Sequence, residues 1–523
     1  MGRAPEGFVD LLRLCAAATP ERVFARFDGK SLTFRELDRQ SDACAASLRR
    51  RGIGPGDRVA VMMRNSLAVL PLLFGLAKAG AVWVPLNPRQ RGEGLDDLLE
   101  NSEPRLVFAD ADLLPALAAS RFAPGRAAVV SSTPVEGVAL LAEMLCGEEG
   151  FTEAAPDPLS PFALMYTSGT TGRPKGVPVS HSMLRIAGEA AAIVSAIRAG
   201  DVLFVWEPLF HIGGTQLLVL PLMHDVRLAM VARFSASRFW DDVHSEEATH
   251  IHYLGGILQM LLKQPARADD RSHGVRIAWG GGCPPDTWTS FSQRFGVEIH
   301  ECYGMTETSS ITTCNLDGPV GSVGRPLPWF DVVLLDEGGR PVEQGQRGTI
   351  AVRSKRPGAL FAGYLGNEEA TAVAFRDGLF HTGDIGRWDE AGNLHFLGRS
   401  SDSVRSRGEN ISAWEVERVV ARHPAIEDCA MIGVPSELGE QDVKLFVKPK
   451  PGCVVDPAAL SDWLEERLAP YQIPRFIAQV DDFERTPSER IMKHKLSKAT
   501  TDCWKRDTRS QERHPAAATA ESR

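Results

Sequence analysis

From Tyr166 to Gly176 the chain reads YTSGTTGRPKG, and no other run of similar length constrains its surroundings as tightly. Gly169 and Gly172 let successive backbone N–H groups turn toward a single anion. The hydroxyls of Thr167, Ser168, Thr170 and Thr171 add donors beside the charge of Lys175. A plain surface turn has no use for so many donors on one side, so the run reads as a loop that holds phosphate oxygens. It is not a Walker A loop, which needs Gly-Lys-Ser/Thr; here Pro174 precedes Lys175 and Gly176 follows it. The strand-like PFALMY leads in, and VPVSH leads out toward a helix beginning near Ser180.

Helical and strand-like runs alternate from the start of the chain. LTFRELDRQSDACAASLRRRG has the spacing of an amphipathic helix, with Thr33 as N-cap and Gly52 as its stop. DRVAVMM is a short apolar strand, and SLAVLPLLFGLAKAG reads as a buried helix ending at Gly80 before the strand AVWVPL. This alternation predicts an α/β fold with a large N-terminal domain of parallel α/β layers. Around VGRPLPWFDVVLLDEGGRPVEQGQRGTIAVRS, short strands between Gly- and Pro-rich turns predict a small β-rich unit attached to that body. After GRSSDSVRSRGENIS the chain alternates helix and strand again, which suits a separate small α+β C-terminal lid domain. The polar stretch from Asp502 to Arg523 reads as a disordered tail.

At 523 residues the chain is too long for one core, and 43% hydrophobic with 24% charged residues is a globular balance. The formal net charge of −9 disfavours nucleic acid as a partner. The nine cysteines are scattered without a C-x-x-C pair, which suits reduced thiols and a cytoplasmic location. His250 and His252 flank Ile251 as one strand face, and no metal site follows from them. Arg3, Glu6 and Asp10 precede any apolar run, so no signal peptide is expected. Pro71 and Lys78 interrupt the most membrane-like run, so no integral membrane association is expected either.

Five further segments follow the phosphate loop: PLFHIGG (Pro208 to Gly214), WGGGCPP (Trp279 to Pro285), YGMTE (Tyr303 to Glu307), HTGDIG (His381 to Gly386) and GRSSDSVRSRGENIS (Gly398 to Ser412). Their order and spacing behind YTSGTTGRPKG resemble the adenylate-forming superfamily of acyl-CoA synthetases, luciferases and peptide-synthetase adenylation domains. The resemblance runs from about Phe8 to about Leu496. It implies an ATP-dependent acyl-CoA ligase, with ATP, Mg²⁺ and coenzyme A. A carboxylate attacks the α-phosphorus of ATP, pyrophosphate leaves, and the acyl-adenylate then passes its acyl group to the CoA thiol.

The resemblance also assigns roles. Thr167, Ser168, Gly169, Thr170, Thr171, Gly172 and Lys175 would embrace the β- and γ-phosphates, preplaced donors lowering the cost of developing charge. Glu307, helped by the Thr167 hydroxyl, would hold Mg²⁺ through oxygen ligands. Adenine would lie against Tyr303 and the Gly281-Gly282-Cys283 backbone, with Gly304, Met305 and Thr306 alongside. Asp384 and Arg399 match the ribose contacts. His211 would gate the acyl pocket or orient the carboxylate. That pocket would be formed by the helix after His211, by Trp279 with its glycines, and by Met305 to Ser309. Trp279 would narrow it toward short, cyclic or aryl acids.

The implied division is an AMP-binding domain over 1–398, a hinge over 399–402, a mobile lid over 403–501 and the tail over 502–523. Ser401 stands in the hinge where Asp or Lys is usual, and Gly408 would line the pantetheine tunnel. The sharpest departure is RTPSERIMKHKL, where the family pattern is Ser-Gly-Lys: Glu489 replaces the glycine and Arg490 the lysine. Arg490 keeps the charge on a wider, planar fork, and Lys493 is its rival for the role. The TPSER ending, RPGALFAGYLGNEEAT and GENIS look most like crotonobetaine/carnitine-CoA ligase-type enzymes. A carrier-protein phosphopantetheine as acceptor, a luciferase-like oxygenase and a non-catalytic nucleotide-binding relative are the competing readings.

Overall fold

The helix Phe34–Arg50 forms where its spacing predicts it, and its start shows why. The Thr33 hydroxyl accepts from the Glu36 amide at 3.2 Å while the Glu36 carboxylate takes the Thr33 amide at 2.8 Å, a reciprocal capping box. Gly52, at φ +74, follows the end of the helix in a conformation that glycine adopts without strain. This computed structural model describes residues 7–122, 128–147, 150–167, 175–400, 403–406, 409–436, 441–486 and 490–506.

Two mainly parallel sheets form the body. Their order answers to strand burial: Val82–Pro85 and Leu106–Ala109 are apolar on both faces, as strands covered on both sides must be. The seven-stranded sheet ends in Pro161–Thr167 paired antiparallel with Lys175–Ser180. The nine-stranded sheet sets Val202–Val205, His250–Leu254, Ile277–Gly281 and Glu298–Tyr303 side by side and parallel. The helix His181–Ser195, capped by the Ser180 hydroxyl, packs against strands of both sheets and is buried nearly all round. Gly188 permits this: a Cβ there would lie 2.1 Å from Val219 Cγ2. A five-stranded sheet holds Phe330–Leu335, Arg347–Ser354, Phe375–Arg376, Leu379–Trp388 and Leu394–Arg399.

The chain divides into two compact units, Met1–Thr382 with Arg387–Phe396, and Gly383–Gly386 with Leu397–Arg523. The division after Phe396 lies close to the boundary expected after residue 398; the transfer of Gly383–Gly386 to the second unit was not anticipated. The second unit carries the hairpin Ser403–Ser406 with Glu409–Ser412 and a four-stranded sheet, with the helices Ala413–Val420 and Pro457–Glu465. The start of the expected tail is corrected. Trp504–Lys505 pairs antiparallel with Phe476–Gln479, and Asp502 meets the fully buried Lys444 ammonium at 3.2 Å. The hinge residues Ser401 and Asp402 lie outside the described residues.

Lys78 does not break the helix Val69–Lys78, because its ammonium is buried between two carboxylates, Asp38 Oδ1 and Asp42 Oδ1, each at 2.6 Å. Lys78→Met keeps the stem's packing and leaves two carboxylates that are about a fifth to a quarter exposed. Water screens part of the loss, so the expected destabilisation is about 2 kcal/mol, below the value for a fully buried pair. Urea unfolding of the two proteins measures it.

Candidate active site

The loop that opened the sequence reading is framed by a hairpin. Thr167 and Lys175 are cross-strand partners at its mouth, and the Thr167 hydroxyl reaches the Lys175 carbonyl at 3.5 Å. Ser168, Gly169, Thr170, Thr171 and Gly172 lie outside the described residues. Lys175 Nζ stands 4.9 Å above the centre of the Tyr364 ring, within the range of a cation–π contact. The Tyr364 hydroxyl donates to Glu307 Oε1 at 3.0 Å. One aromatic side chain thus joins the phosphate-loop lysine to the acidic residue of YGMTE.

Tyr364 is held from both sides. The Phe361 amide donates to the Glu307 carbonyl at 3.0 Å and the Leu365 amide to the Gly176 carbonyl at 2.9 Å. The Tyr364 amide donates to the Thr371 hydroxyl at 2.9 Å, in a helix capped by Asn367. In sequence FAGYLGN carries only a family likeness, and no role for Tyr364 follows from it. A tyrosine fixed between Gly363 and a helix cap was the available signal.

Glu307 is buried on the 3-10 turn Thr306–Thr308, just past the strand that ends at Tyr303. The turn needs Gly304, where a Cβ would lie 2.1 Å from the Ser310 carbonyl. Ser309 and Ser310 adopt φ of +51 and +74, a left-handed pair that costs on the order of 1–3 kcal/mol per residue and is held by its surroundings. Thr308 accepts from the Met305 amide at 3.2 Å, and Thr312 donates to Thr308 at 2.7 Å. Tyr303 itself stacks on Phe396 with centroids 5.7 Å apart.

The neighbouring strand runs into the glycine turn. A Cβ at Gly280 would lie 1.9 Å from the Tyr253 carbonyl, and one at Gly281 would lie 2.9 Å from the Cys302 carbonyl. The turn is tied by Glu301, which the sequence reading passed over. Its Oε1 accepts from the Gly282 amide at 2.5 Å and the Cys283 amide at 3.1 Å, and Oε2 accepts from the Tyr253 hydroxyl at 2.5 Å. Burial pushes the Glu301 carboxyl up to about 7, against these three donors, which favour the charged form. Below about 4.3 folded and unfolded chains both hold the proton; from there to about 7 only the unfolded chain ionises, so stability falls as pH rises. Relative to Glu301→Gln, the wild type is expected to lose about 3 kcal/mol between pH 5 and pH 8, read by urea unfolding at each pH.

His211 begins the short helix Ile212–Thr215, its carbonyl accepting from the Gly214 and Thr215 amides at 3.0 and 2.9 Å. Asn65 fixes this loop by donating to the Glu207 carbonyl at 2.8 Å and accepting from the Leu209 amide at 3.2 Å. His250 is a packed residue: Nε2 meets the Ser195 carbonyl at 2.9 Å, and burial pushes its pKa down to about 4. His252 instead bonds Glu207 through Nδ1, and its ring meets that of Trp279 at 4.3 Å.

In the second unit Arg399 Nε lies 3.5 Å from Asp384 Oδ1, with the aspartate side chain almost wholly buried. Arg490 sits on a tight reversal in which the Thr486 amide donates to the Arg490 carbonyl at 2.7 Å. Lys493 Nζ pairs with Glu417 Oε1 at 2.8 Å. Gly408 and Glu489 lie outside the described residues. The first unit therefore sets Glu307, Tyr303 and the glycine turn at or just past the C-terminal ends of parallel strands, the usual place for a ligand in such sheets. Lys175, which opens an antiparallel strand, is joined to them through Tyr364.

Residues 12–365 match the AMP-binding enzyme family, and residues 415–490 match the AMP-binding enzyme C-terminal domain. A crotonobetaine/carnitine–CoA ligase of Salmonella paratyphi B is 30% identical over 488 residues, covering 89% of this chain and 93% of the relative. The o-succinylbenzoate CoA synthetase of Bacillus subtilis, solved with its acyl-adenylate intermediate, superposes with a TM-score of 0.83 at 26% identity, over 94% and 98% of the two chains. ATP-bound MatB of Rhodopseudomonas palustris gives 0.85 at 29% identity, over 93% and 97%.

Proposed function

This chain belongs to the family of AMP-binding enzymes and is an ATP-dependent, AMP-forming acid–CoA ligase, and we propose on that premise which of its residues carry the reaction. The observation that supports the assignment is the chain of contacts from Lys175 through Tyr364 to Glu307 beside the phosphate loop. Lys175, with the loop residues Thr167 to Gly172, binds the β- and γ-phosphates and meets the charge that grows on pyrophosphate as it leaves. Glu307 and Thr167 would hold Mg²⁺, whose chemistry there is to neutralise phosphate oxygens. A buried carboxylate with one oxygen fixed by a hydroxyl fits that role. Tyr303 and the Gly281–Cys283 backbone receive the adenine, and Gly304, Met305 and Thr306 shape the floor. Asp384 and Arg399 take the ribose, His211 orients the carboxylate, Gly408 lines the thiol's path, and Arg490 steadies the carboxylate and adenylate oxygens.

Free CoA is the proposed acceptor, with a carrier-protein phosphopantetheine as the second reading. Nine free thiols support the cytoplasm as the place of action. Among the described residues no helix is long and apolar enough to cross a membrane. Incubation with ATP, Mg²⁺ and a panel of betaines and short, cyclic, aryl and long-chain acids, with and without CoA, tests the assignment by mass spectrometry. Acyl-CoA is the expected product. Acyl-AMP that accumulates despite CoA would move the acceptor to a carrier protein, and neither product from any acid would overturn the ligase.

A further inference from the structure

Glu207 and His252 form a buried pair that nothing in the catalytic assignment uses. Both side chains are almost wholly shielded from solvent, 1% and 4% exposed. Glu207 Oε1 meets His252 Nδ1, so the two side chains share a proton across that contact. Glu207 Oε2 is buried and accepts no hydrogen bond from any described residue. A fold-stabilising strut does not need an unpaired carboxylate oxygen, since an unmet buried acceptor costs stability.

The position of the pair gives this surplus a use. Glu207 lies four residues before His211 in a loop fixed by Asn65, and a Cβ on Gly213 would lie 3.5 Å from His252 Cε1. His252 is the cross-strand partner of Trp279, which runs directly into the glycine turn. The pair therefore stands between the His211 loop and the glycine turn after Trp279, where the ligase reading puts the acid.

We propose that Glu207, held by His252, is a specificity-determining residue whose Oε2 accepts a hydrogen bond from a hydroxyl or amino substituent on the carboxylic acid, away from its carboxylate. The inference rests on the acid–CoA ligase reading. Glu207 Oε2 is a buried acceptor, so an acid without a donor leaves it unmet. Trp279 supplies an apolar wall beside the ring.

The test uses matched triads: butyrate, 4-hydroxybutyrate and 4-aminobutyrate, and benzoate, 3-hydroxybenzoate and 3-aminobenzoate. ATP–pyrophosphate exchange should favour a donor-bearing member over the plain acid by about tenfold or more in kcat/KM. In the double variant Glu207→Gln, His252→Leu that ratio should fall to about one, with KM for ATP unchanged. A wild-type ratio near one, or a ratio that survives the double variant, overturns the proposal. Hydroxyl against amino within a triad tells which donor the pair prefers. If no acid reacts, the ligase reading fails, and ¹⁵N NMR of His252 decides the subsite separately. A shift of the His252 ring nitrogens, read through the contact with Glu207, is expected with donor-bearing acids alone; the same response to all three members, or none, overturns it.

Discussion

Lys175→Ala is expected to lower ATP–pyrophosphate exchange about a thousandfold, the upper end of what losing one preplaced donor to a developing charge costs. The lysine stem emerges at the mouth of the phosphate hairpin, so its ammonium is aimed by backbone pairing between Thr167 and Lys175. Tyr364 then sets its height, with the ring 4.9 Å below Nζ. Tyr364→Phe keeps the ring and removes only the hydroxyl that donates to Glu307. Its effect should be smaller, about fivefold to tenfold, matching one hydrogen bond to a charged group. The loss should appear as a higher half-saturating Mg²⁺ concentration, because the freed carboxylate oxygen must reorient. Tyr364→Ala removes ring and hydroxyl together and should approach the lysine variant. Exchange rates at saturating acid, with ATP and Mg²⁺ titrated in turn, separate the three. Lys175→Ala activity within about threefold of wild type would remove the lysine from the phosphate site.

Much of this site could be read from the chain because it rests on local backbone demands. At Gly304, Gly280 and Gly281 a Cβ would collide with backbone, and Gly282 holds a φ of +91; such positions declare themselves as glycine in sequence. Thr33, Ser180 and Asn367 cap helices by contacts within three residues, equally visible in one dimension. What escaped is what depends on tertiary neighbours. Glu301 lies in a strand with ordinary alternation, and nothing local says that its carboxylate ties two amides of the adjacent turn. Tyr364 acquires its meaning only from Lys175 and Glu307, far away in sequence. The pairing of Glu207 with His252 crosses from a loop to a separate strand, so H-x-H read as a plain strand face was right for His250 and incomplete for His252. Trp504 was assigned to a tail because polar composition hid one short edge strand, closed onto Phe476–Gln479 by pairing that sequence alone does not display.

Arg490→Ala is expected to slow acyl-adenylate formation by about 10²- to 10³-fold, whereas Lys493→Ala should slow it by less than about threefold. Lys493 already has a structural task in the second unit. Lys493 Nζ is 2.8 Å from Glu417 Oε1, and the same oxygen accepts the Met431 amide at 2.6 Å. That lysine helps to seat the helix Ala413–Val420 against the strand Ile426–Pro435, so its removal should cost about 1–2 kcal/mol of stability. Arg490 is exposed, on a reversal closed at its base by the Arg485–Ile491 bridge and by the Thr486 hydroxyl, which accepts from the Arg490 amide at 3.1 Å. Arg490→Lys keeps the charge on a compact head and should retain most of the rate, because the demand is for positive charge near the carboxylate more than for a planar fork. Thioester formation from supplied acyl-AMP is the control. It needs no help with carboxylate attack, so Arg490→Ala should leave it within about threefold of wild type. An unchanged adenylation rate in Arg490→Ala would sink the assignment, and a collapse in Lys493→Ala with stability intact would transfer it to Lys493.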